Sequence, residues 1–181
     1  VAEGWRSRAA LKLIDIDSKV RLLAPGRLVL DLGAAPGGWS QVAARRNCTV
    51  VAVDLLAIEP LGSVRIECGD ITEPAVHERL AERLGGLADL VLCDASPNLS
   101  GVRDADQAAC LALHEAAVGC AVQLAAAGSS LLLKTFAGDA QQAVARTAGR
   151  HYAGIRFVKP QSSRRASSEI YLVASNLTKS G

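Results

Sequence analysis

The amino-acid sequence predicts a single-domain α/β protein with a mostly parallel seven-stranded sheet, helices on both faces and an antiparallel last strand. Seven apolar runs rich in Val, Leu and Ile alternate with helical patterns, which favours parallel strands joined by right-handed crossovers. The last two runs are joined by a polar loop, residues 159–168, without a helical pattern, which indicates a hairpin. A chain of 181 residues, half of them apolar, buries one core.

The individual elements follow from the spacing of apolar residues. We expect strands at residues 28–31, 50–54, 64–68, 90–94, 130–135, 155–158 and 169–174. Helical patterns lie at about 7–23, 37–46, 74–84, 106–126 and 139–149. Residues 1–27 are therefore expected to form a basic N-terminal helical segment. Residues 28–177 are expected to form the core of one domain that spans 1–181.

Charge is distributed unevenly along the chain although the formal net charge is only +2. Residues 1–27 carry six Lys and Arg against three Asp and Glu, and residues 151–181 carry five against one. Residues 28–150 carry nine against fourteen. Two basic ends that meet in the fold would form one positive surface for a phosphate backbone. Solvated terminal segments explain the same pattern equally well.

Other features of the composition narrow the class of protein. No apolar stretch approaches the roughly 20 residues of a membrane-spanning helix, so we expect a soluble protein without membrane contact. The five cysteines and three histidines lack metal-site spacing, and the cysteines fit a reducing compartment. The sequence begins at Val1 and contains no methionine, so we expect the natural N-terminus, with any targeting segment, to lie upstream.

The segment between the first predicted strand and the helix after it is rich in glycine. Its sequence from Asp31 onward is DLGAAPGGWSQ. Gly33, Gly37 and Gly38 allow a ligand to approach the backbone closely, and the helix start offers free N–H groups. The G-x-G-x-x-G spacing of dinucleotide-binding proteins is absent and Pro36 stiffens the loop. The turn therefore favours S-adenosylmethionine over a nicotinamide cofactor. The alternative, a nicotinamide cofactor, would make the protein an oxidoreductase.

Four aspartates lie at or just beyond the ends of predicted strands: Asp31, Asp54, Asp70 and Asp94. The strand ends form the ligand-binding edge of such a sheet, and four carboxylates there call for a ligand with hydroxyls, amines or positive charge. Asp54 is placed to accept hydrogen bonds from ribose hydroxyls, and Asp70 could accept from an adenine amino group. The alternative is that these carboxylates only cap helices or hold turns.

One lysine stands inside an apolar strand. Lys134 lies within LLLKTF, where a charged ammonium is costly to bury unless it is paired. We interpret it as a site residue, and the alternative is a lysine whose ammonium reaches the sheet edge. Asp94 ends a neighbouring strand and Glu169 opens the last one. Lys12, on the leading helix, is unremarkable by itself.

Taken together, these motifs resemble the FtsJ-like (RrmJ/RlmE) family of ribosomal RNA 2′-O-ribose methyltransferases. The resemblance runs almost end to end, through RSRAALKL from Arg6, the glycine turn, VDLL from Val53, GD at Gly69, CDASPNLSG from Cys93, LKTF from Leu133 and KPQSSRRASSEIY from Lys159. It implies a Rossmann-like methyltransferase domain with a tetrad of Lys12, Asp94, Lys134 and Glu169. It also implies S-adenosylmethionine contacts at Gly37, Trp39, Asp54, Asp70 and Asp94.

The resemblance implies separate roles for the tetrad, with Lys134 as the base while Asp94 and Glu169 orient the ammonium groups. A ribose hydroxyl is a very weak acid. It therefore needs a positioned base and local positive charge before it attacks the methyl carbon in line with the departing sulfur. The chain departs from the family pattern at Leu11, where many members have an aromatic residue, and at Ala95-Ser96, where Met-Ala is common.

The resemblance also implies a partner, large-subunit ribosomal RNA or its assembly intermediate, with a uridine of the peptidyl-transferase region as target. The basic residues of the two ends are the candidates for RNA contact: Arg6, Arg8, Lys159, Arg164 and Arg165. We expect a ribosome-associated monomer in a bacterial cytoplasm or a mitochondrial matrix. The alternatives are a tRNA 2′-O-ribose methyltransferase and a non-catalytic RNA-binding ribosome-assembly factor.

Overall fold

The structure, a computed structural model, describes residues 4–98, 100–163 and 167–179. The helices are α1 (Ala9–Val20), α2 (Gly38–Arg45), α3 (Pro74–Leu84), α4 (Arg103–Leu124) and α5 (Asp139–Gly149). The strands are β1 (Leu28–Leu32), β2 (Thr49–Asp54), β3 (Arg65–Cys68), β4 (Ala88–Cys93), β5 (Ala125–Phe136), β6 (Tyr152–Val158) and β7 (Glu169–Leu177). The α/β class that the sequence predicts is confirmed.

The seven strands form one sheet in the order β3-β2-β1-β4-β5-β7-β6. β1 pairs in parallel with β2 and β4, β2 with β3, and β4 with β5. β7 runs antiparallel to both of its neighbours, β5 and β6, which confirms the predicted hairpin and the antiparallel last strand. The strand order reverses between β1 and β4, and their carboxyl ends flank the crevice where sheets of this kind bind ligands.

Apolar cores lie on both faces of the sheet. On one face, Leu30 packs with Leu80 of α3 and Val144 of α5 in a cluster that also takes in α4. On the other face, Val29 belongs to a cluster with Leu13 of α1 and residues of α2. Successive residues of β1 therefore enter different cores, which explains its continuous apolar sequence. In the described part of the chain, no helix combines the length and the apolar character that a bilayer crossing requires.

Several element boundaries in the second half of the chain differ from the prediction, among them those of α4, β5 and β7. The predicted helix reaches residue 126, but α4 starts earlier, at Arg103, ends at Leu124 and passes directly into β5. Ala125 is extended, with φ −104° and ψ 156°, and pairs with Ala88 of β4. Alanine favours helix by itself, so sheet pairing overrides local propensity here. β7 continues past the predicted residue 174 to Leu177 because it pairs with β6 along that length.

α1 is shorter than the leading helix predicted over residues 7–23. It ends at Val20 because Arg21 adopts a left-handed conformation, with φ 54°, and its N–H bonds to the carbonyl of Asp17. The carboxylate of Asp17 then accepts a hydrogen bond from the N–H of Leu23 at 2.8 Å. This closed turn fixes the direction in which the chain leaves α1 for β1.

Candidate active site

The carboxyl ends of β1, β2 and β4 open into one cavity of about 390 Å³. Its walls come from the glycine turn, the loop after β2, the segment after β3 and the end of β5. The lining includes Gly33, Asp54, Leu56, Asp70, Asp94 and Lys134. Four of the residues that the sequence names as cofactor contacts, one glycine and three aspartates, therefore border the same space.

Asp54 ties together two loops that border this cavity. Its Oδ2 accepts a hydrogen bond from the N–H of Ala35 at 2.8 Å, and its Oδ1 accepts one from the N–H of Leu56 at 2.9 Å. Each carboxylate oxygen has a second lone pair, so the side chain keeps acceptor capacity towards a ligand. Asp54 can thus hold the two loops and accept hydrogen bonds from ligand hydroxyl groups at the same time.

Asp70 occupies a second turn at the cavity wall. Its Oδ1 accepts hydrogen bonds from both the N–H and the hydroxyl of Thr72, each at 2.8 Å. These bonds, the backbone one first, lower the pKa of Asp70 below its ordinary value. The group is therefore an ionised acceptor at neutral pH. Like Asp54, Asp70 both holds a turn and lines the cavity.

A smaller, deeper recess of about 130 Å³ shares Gly33, Ala35 and Asp94 with this cavity and is also lined by Asp31. Asp31 is 1% exposed, and its Oδ2 accepts a hydrogen bond from the hydroxyl of Ser40 at 2.6 Å. Its Oδ1 has no hydrogen-bond partner among the described residues. Burial raises the pKa of Asp31 to about 7; the bond from Ser40 opposes the rise, and the carboxylates of Asp94 and Asp54 add to it. The sequence shows Asp31 at a strand end but gives it no role. Its burial and its shortage of hydrogen-bond donors result from tertiary packing, which the sequence does not show.

Two lysine–carboxylate pairs lie at the carboxyl edge of the sheet. Lys134 Nζ donates to the carbonyl oxygen of Asp94 at 2.6 Å and lies 3.4 Å from Oδ1 of the same residue. Lys12 Nζ donates to Glu169 Oε2 at 2.6 Å. Asp94 follows β4, Lys134 lies on β5 and Glu169 opens β7, so three adjacent strands supply three of the groups. α1 brings Lys12 to them, and the predicted tetrad is assembled from four separate elements.

The electrostatic environment shifts the pKa values of the two tetrad carboxylates in opposite directions. Burial raises the pKa of Asp94, while the charge of Lys134, the hydrogen bond from Tyr171 and the charge of Lys12 oppose the rise. Burial also acts to raise the pKa of Glu169, but the hydrogen bond and charge of Lys12, together with the charge of Lys134, hold it below its ordinary value. Glu169 is thus firmly ionised, whereas the charge of Asp94 depends on its partners.

Tyr171 is a buried member of the site that the sequence does not single out. Its hydroxyl donates to Asp94 Oδ1 at 2.9 Å, and the residue is fully buried. Its ring lies 5.7 Å from the ring of Trp39, and the Trp39 Nε1–H donates to the carbonyl oxygen of Ala9 at 2.8 Å. Trp39, a predicted cofactor contact, is 2% exposed and borders the deeper recess. Both aromatic residues therefore connect α1 to the tetrad.

The predicted cofactor glycines face different neighbours. Gly33 has φ 66°, and a Cβ there would lie 2.5 Å from the Cβ of Ala95. A Cβ on Gly38 would lie 2.2 Å from the hydroxyl oxygen of Ser7, which belongs to the segment before α1. Gly37 has φ 103° and faces the same segment. The lack of side chains at Gly37 and Gly38 thus lets this N-terminal segment pack closely on the turn.

A second groove, of about 330 Å³, has the Lys12–Glu169 pair in its lining. It is lined by Arg8, Ala9, Leu11, Lys12, Ser162, Ser167 and Glu169. We refer to it as the acceptor groove. Lys12 and Glu169 border this groove while Lys134 and Asp94 border the first cavity, so each lysine–carboxylate pair of the tetrad borders a different space.

The five predicted RNA contacts have different surroundings. Arg8 is exposed and borders the acceptor groove. Lys159 Nζ donates to the carbonyl oxygen of Ser167, a lining residue of that groove, at 3.0 Å. The guanidinium of Arg6 instead donates to three backbone carbonyls of the glycine turn and the loop after β2. Arg164 and Arg165 lie outside the described residues. Among the residues that are described, no group of three His, Cys, Asp or Glu side chains could hold a metal ion.

A model of the FtsJ-like methyltransferase family matches residues 5–177. The chain belongs to the FtsJ-like methyltransferase family. Among its relatives, the ribosomal RNA large subunit methyltransferase E of Gluconobacter oxydans is 42% identical over 173 residues, which are 95% of this chain and 65% of that protein. The protein of the same name from Granulibacter bethesdensis is 41% identical over 181 residues, which are 99% of this chain and 79% of that protein.

A solved structure agrees with this chain in fold as well as in sequence. It is described as a ribosomal RNA methyltransferase from Plasmodium falciparum and superposes with a TM-score of 0.84 at 26% identity, covering 96% of this chain and 98% of that chain. The resemblance noted in the sequence is therefore confirmed, and the protein is a methyltransferase. The roles assigned to individual site residues stay predictions.

Proposed function

We propose that this FtsJ-like chain transfers a methyl group from S-adenosylmethionine to a ribose 2′-hydroxyl of large-subunit ribosomal RNA, at a uridine of the peptidyl-transferase region. The observation that carries the proposal is that one lysine–carboxylate pair borders an acidic cavity while the other borders an acceptor groove. The names of the relatives from Gluconobacter oxydans and Granulibacter bethesdensis support the choice of RNA. Both relatives are bacterial, which favours the bacterial cytoplasm over a mitochondrial matrix.

The first cavity suits S-adenosylmethionine by charge and by its donor groups. The cofactor carries an ammonium, a sulfonium, ribose hydroxyls and an adenine amino group, and the cavity offers the carboxylates of Asp54, Asp70 and Asp94. Asp31, whose Oδ1 has no hydrogen-bond partner in the described part of the chain, lines the recess beyond them. A buried carboxylate oxygen without a donor is costly, and a cationic ligand would relieve that cost. When bound, the cofactor supplies a methyl group on a positively charged sulfur.

The tetrad then has to manage one proton and the position of one oxygen. With S-adenosylmethionine bound, its sulfonium would supply the methyl group to the ribose oxygen and would become a neutral thioether. Lys134 Nζ would take the hydroxyl proton, and for that step it has to be a neutral amine. Lys134 is 8% exposed and is held by the backbone carbonyl and carboxylate of Asp94, so its amine is fixed in direction. Lys12, paired with Glu169 at 2.6 Å, provides fixed positive charge beside the reacting oxygen.

The acceptor side suits an RNA backbone. Arg8 lines the acceptor groove, and Lys159 donates to the carbonyl oxygen of Ser167, which also lines it. The planar guanidinium of arginine and the flexible ammonium of lysine both bind phosphate. The chain has only six aromatic residues, two each of Trp, Tyr and Phe, so recognition of a preformed RNA shape is favoured over base stacking on a platform. This supports structured ribosomal RNA as the substrate.

The test is transfer of labelled methyl groups from S-adenosylmethionine to purified large-subunit particles and, in parallel, to tRNA. We expect label on the particles, alkali-resistant linkages that mark 2′-O-methylation, and a single mapped position. Label on tRNA alone would replace the proposed substrate with a tRNA ribose.

A matched pair of lysine variants tests whether the protein is an enzyme or a non-catalytic assembly factor. Lys134→Ala removes the proposed base, and we expect transfer to fall at least about 100-fold. Lys19→Ala is the control because Lys19 lies on α1, is partly exposed and pairs only with Asp15 over 3.3 Å in the described structure. It should retain activity. Full activity of Lys134→Ala would overturn the catalytic assignment.

A further inference from the structure

Resting on the proposed function, we propose that Arg6 is a positioning residue of the cofactor site and not an RNA contact. The sequence groups Arg6 with the RNA-binding residues because of its charge alone. In the structure its guanidinium is directed inward, onto the two loops that border the cofactor cavity. The contacts, the packing beneath the side chain and the contrast with Arg8 all support this role.

The guanidinium donates to three carbonyl oxygens. Arg6 Nη1 donates to Glu59 at 2.6 Å and to Pro36 at 3.3 Å, and Nη2 donates to Pro60 at 2.5 Å. Pro36 belongs to the glycine turn, and the other two residues belong to the loop that follows β2. A guanidinium has a rigid, planar set of donors, so it can hold several carbonyls in fixed relative positions. Arg6 thereby joins the two loops from outside the cavity.

Asp54 joins the same two loops from the inside. Its carboxylate accepts from Ala35, next to Pro36 in the glycine turn, and from Leu56 in the loop after β2. The two charged side chains therefore bracket the loops, one binding N–H groups at the cavity wall and the other binding carbonyl groups on the outer surface. Because Leu56 also lines the cavity, a shift of either loop changes the space available to the cofactor.

Arg6 also packs against the glycine turn and α2, so an outward rotation of its side chain would break these contacts as well as the three hydrogen bonds. A Cβ on Gly37 would lie 3.2 Å from Arg6 Nη1 and 3.4 Å from its Cδ, so the side chain rests directly on the glycine turn. The backbone N–H of Arg6 donates to Gln41 Oε1 of α2 at 2.9 Å. Arg8, by contrast, is exposed on the side of the acceptor groove. The two arginines thus face two different sites.

The experiment measures cofactor binding and RNA binding separately, without methyl transfer, for the full chain and for Arg6→Ala, Arg6→Lys and Arg8→Ala. For both Arg6 variants we expect the dissociation constant for S-adenosylmethionine to rise about tenfold or more. The slope of log K for RNA against log salt should stay unchanged. Arg6→Lys should weaken cofactor binding as Arg6→Ala does, because lysine keeps the charge but lacks the planar set of donors. Arg8→Ala should leave cofactor binding unchanged and reduce the salt slope by about 1.

A readout without any ligand guards against the trivial outcome that the variants are misfolded. Hydrogen exchange of residues 55–60 should become faster in Arg6→Ala and stay unchanged in Arg8→Ala, while protection of β1 and β4 is retained in both. Gln41→Ala, which loosens the anchor of the Arg6 backbone, should weaken cofactor binding in the same direction.

The outcomes separate this inference from the proposed function. Unchanged cofactor binding and loop exchange in Arg6→Ala, with a reduced RNA salt slope, would overturn the positioning role and restore the RNA contact. Full cofactor binding by Arg6→Lys would also overturn it, since charge alone would then suffice. Failure of the wild-type chain to bind S-adenosylmethionine would sink the proposed function and this inference with it.

Discussion

The hydroxyl of Tyr171 donates to Asp94 Oδ1 at 2.9 Å, and the same oxygen lies 3.4 Å from Lys134 Nζ. Tyr171 and Lys134 are direct partners in the β5–β7 register, so the sheet itself fixes the distance between them. A buried hydroxyl that binds one carboxylate oxygen limits the rotation of that carboxylate. The direction in which Asp94 presents its charge to the lysine is therefore set by a residue that does not line the cavity.

Tyr171→Phe should slow methyl transfer while leaving the fold intact. The variant removes the hydroxyl but keeps the ring against Trp39, so Asp94 loses one hydrogen-bond donor of the kind worth about 1.5–3 kcal/mol to a charged group. We expect kcat to fall about tenfold or more with little change in KM for the cofactor. Steady-state kinetics with ribosomal particles measure both constants.

The matched control is Tyr152→Phe. The Tyr152 hydroxyl is buried and has no hydrogen-bond partner among the described residues, so its removal breaks no bond. Activity should stay at the wild-type level. Equal losses in Tyr171→Phe and Tyr152→Phe would show that loss of a buried hydroxyl, and not the bond to Asp94, causes the effect.

Asp31 should make folding stability depend on pH. Its pKa is raised from 3.8 to about 7 in the folded protein, chiefly by burial. The folded state therefore binds a proton between about pH 4 and pH 7 that the unfolded state has released. The associated stability is fully present below pH 4 and is lost as pH rises through 7. Integration of this shift predicts a loss of about 2–3 kcal/mol between pH 5 and pH 8 from this group.

Asp31→Asn isolates that contribution because it removes the titrating group and keeps an acceptor for Ser40. Urea unfolding of both proteins at pH 5, 6, 7 and 8 gives two curves of free energy against pH. Titration of other groups, such as the buried His114 whose pKa burial lowers, is common to both curves. The difference between the curves should widen with pH in favour of the variant. Parallel curves would contradict a raised pKa for Asp31.

Burial on both faces made much of the fold readable from sequence. The central strands β1, β2 and β4 read as continuous apolar runs because cores lie on both sides of the sheet. The junction of α4 and β5 could not be read, since Ala125 carries no local signal against helix and only pairing with Ala88 decides its conformation. Propensity fails where two long-range partners determine the backbone.

The sequence predicts a site residue only where its immediate neighbours in the chain mark it as unusual. Lys134 stands out because a charge inside an apolar strand is costly. Lys12 does not, since its partner Glu169 lies 157 positions away and nothing near Lys12 indicates the pair; only the family resemblance joined them. The contacts of Arg6 are with backbone carbonyls, which any sequence offers, so its charge alone gave an RNA assignment in place of the loop contacts found in the structure.

The Lys12–Glu169 pair should act as one unit in catalysis. Lys12→Ala removes the positive charge that we propose to lie beside the reacting oxygen, and we expect kcat to fall about 100-fold. Glu169→Gln leaves Lys12 in place but less well oriented, so we expect a loss of about tenfold. The double variant should resemble Lys12→Ala alone because Glu169 has no partner left to orient. Multiplying losses in the double variant would show that Glu169 acts independently of Lys12.

Gly33→Ala should displace the segment that carries Asp94. The new Cβ would lie 2.5 Å from the Cβ and 3.1 Å from the Cα of Ala95, and the position has a left-handed φ of 66°, which costs a residue with a side chain about 1–2 kcal/mol. We expect lower stability in urea and a larger loss of kcat than strain alone explains, because Ala95 adjoins Asp94. Gly119→Ala in α4 is the control: a Cβ there meets no atom within 4 Å, so it should be neutral or stabilising by up to about 1 kcal/mol.

Adding Ala95→Gly to Gly33→Ala separates the two causes. The double variant removes one of the clashing Cβ atoms but keeps the left-handed strain at residue 33. We expect kcat to recover by more than the free energy of unfolding does, because the clash moves Asp94 whereas the strain weakens the whole turn. Recovery of stability without recovery of kcat would mean that Gly33 affects catalysis through the cavity wall and not through Asp94.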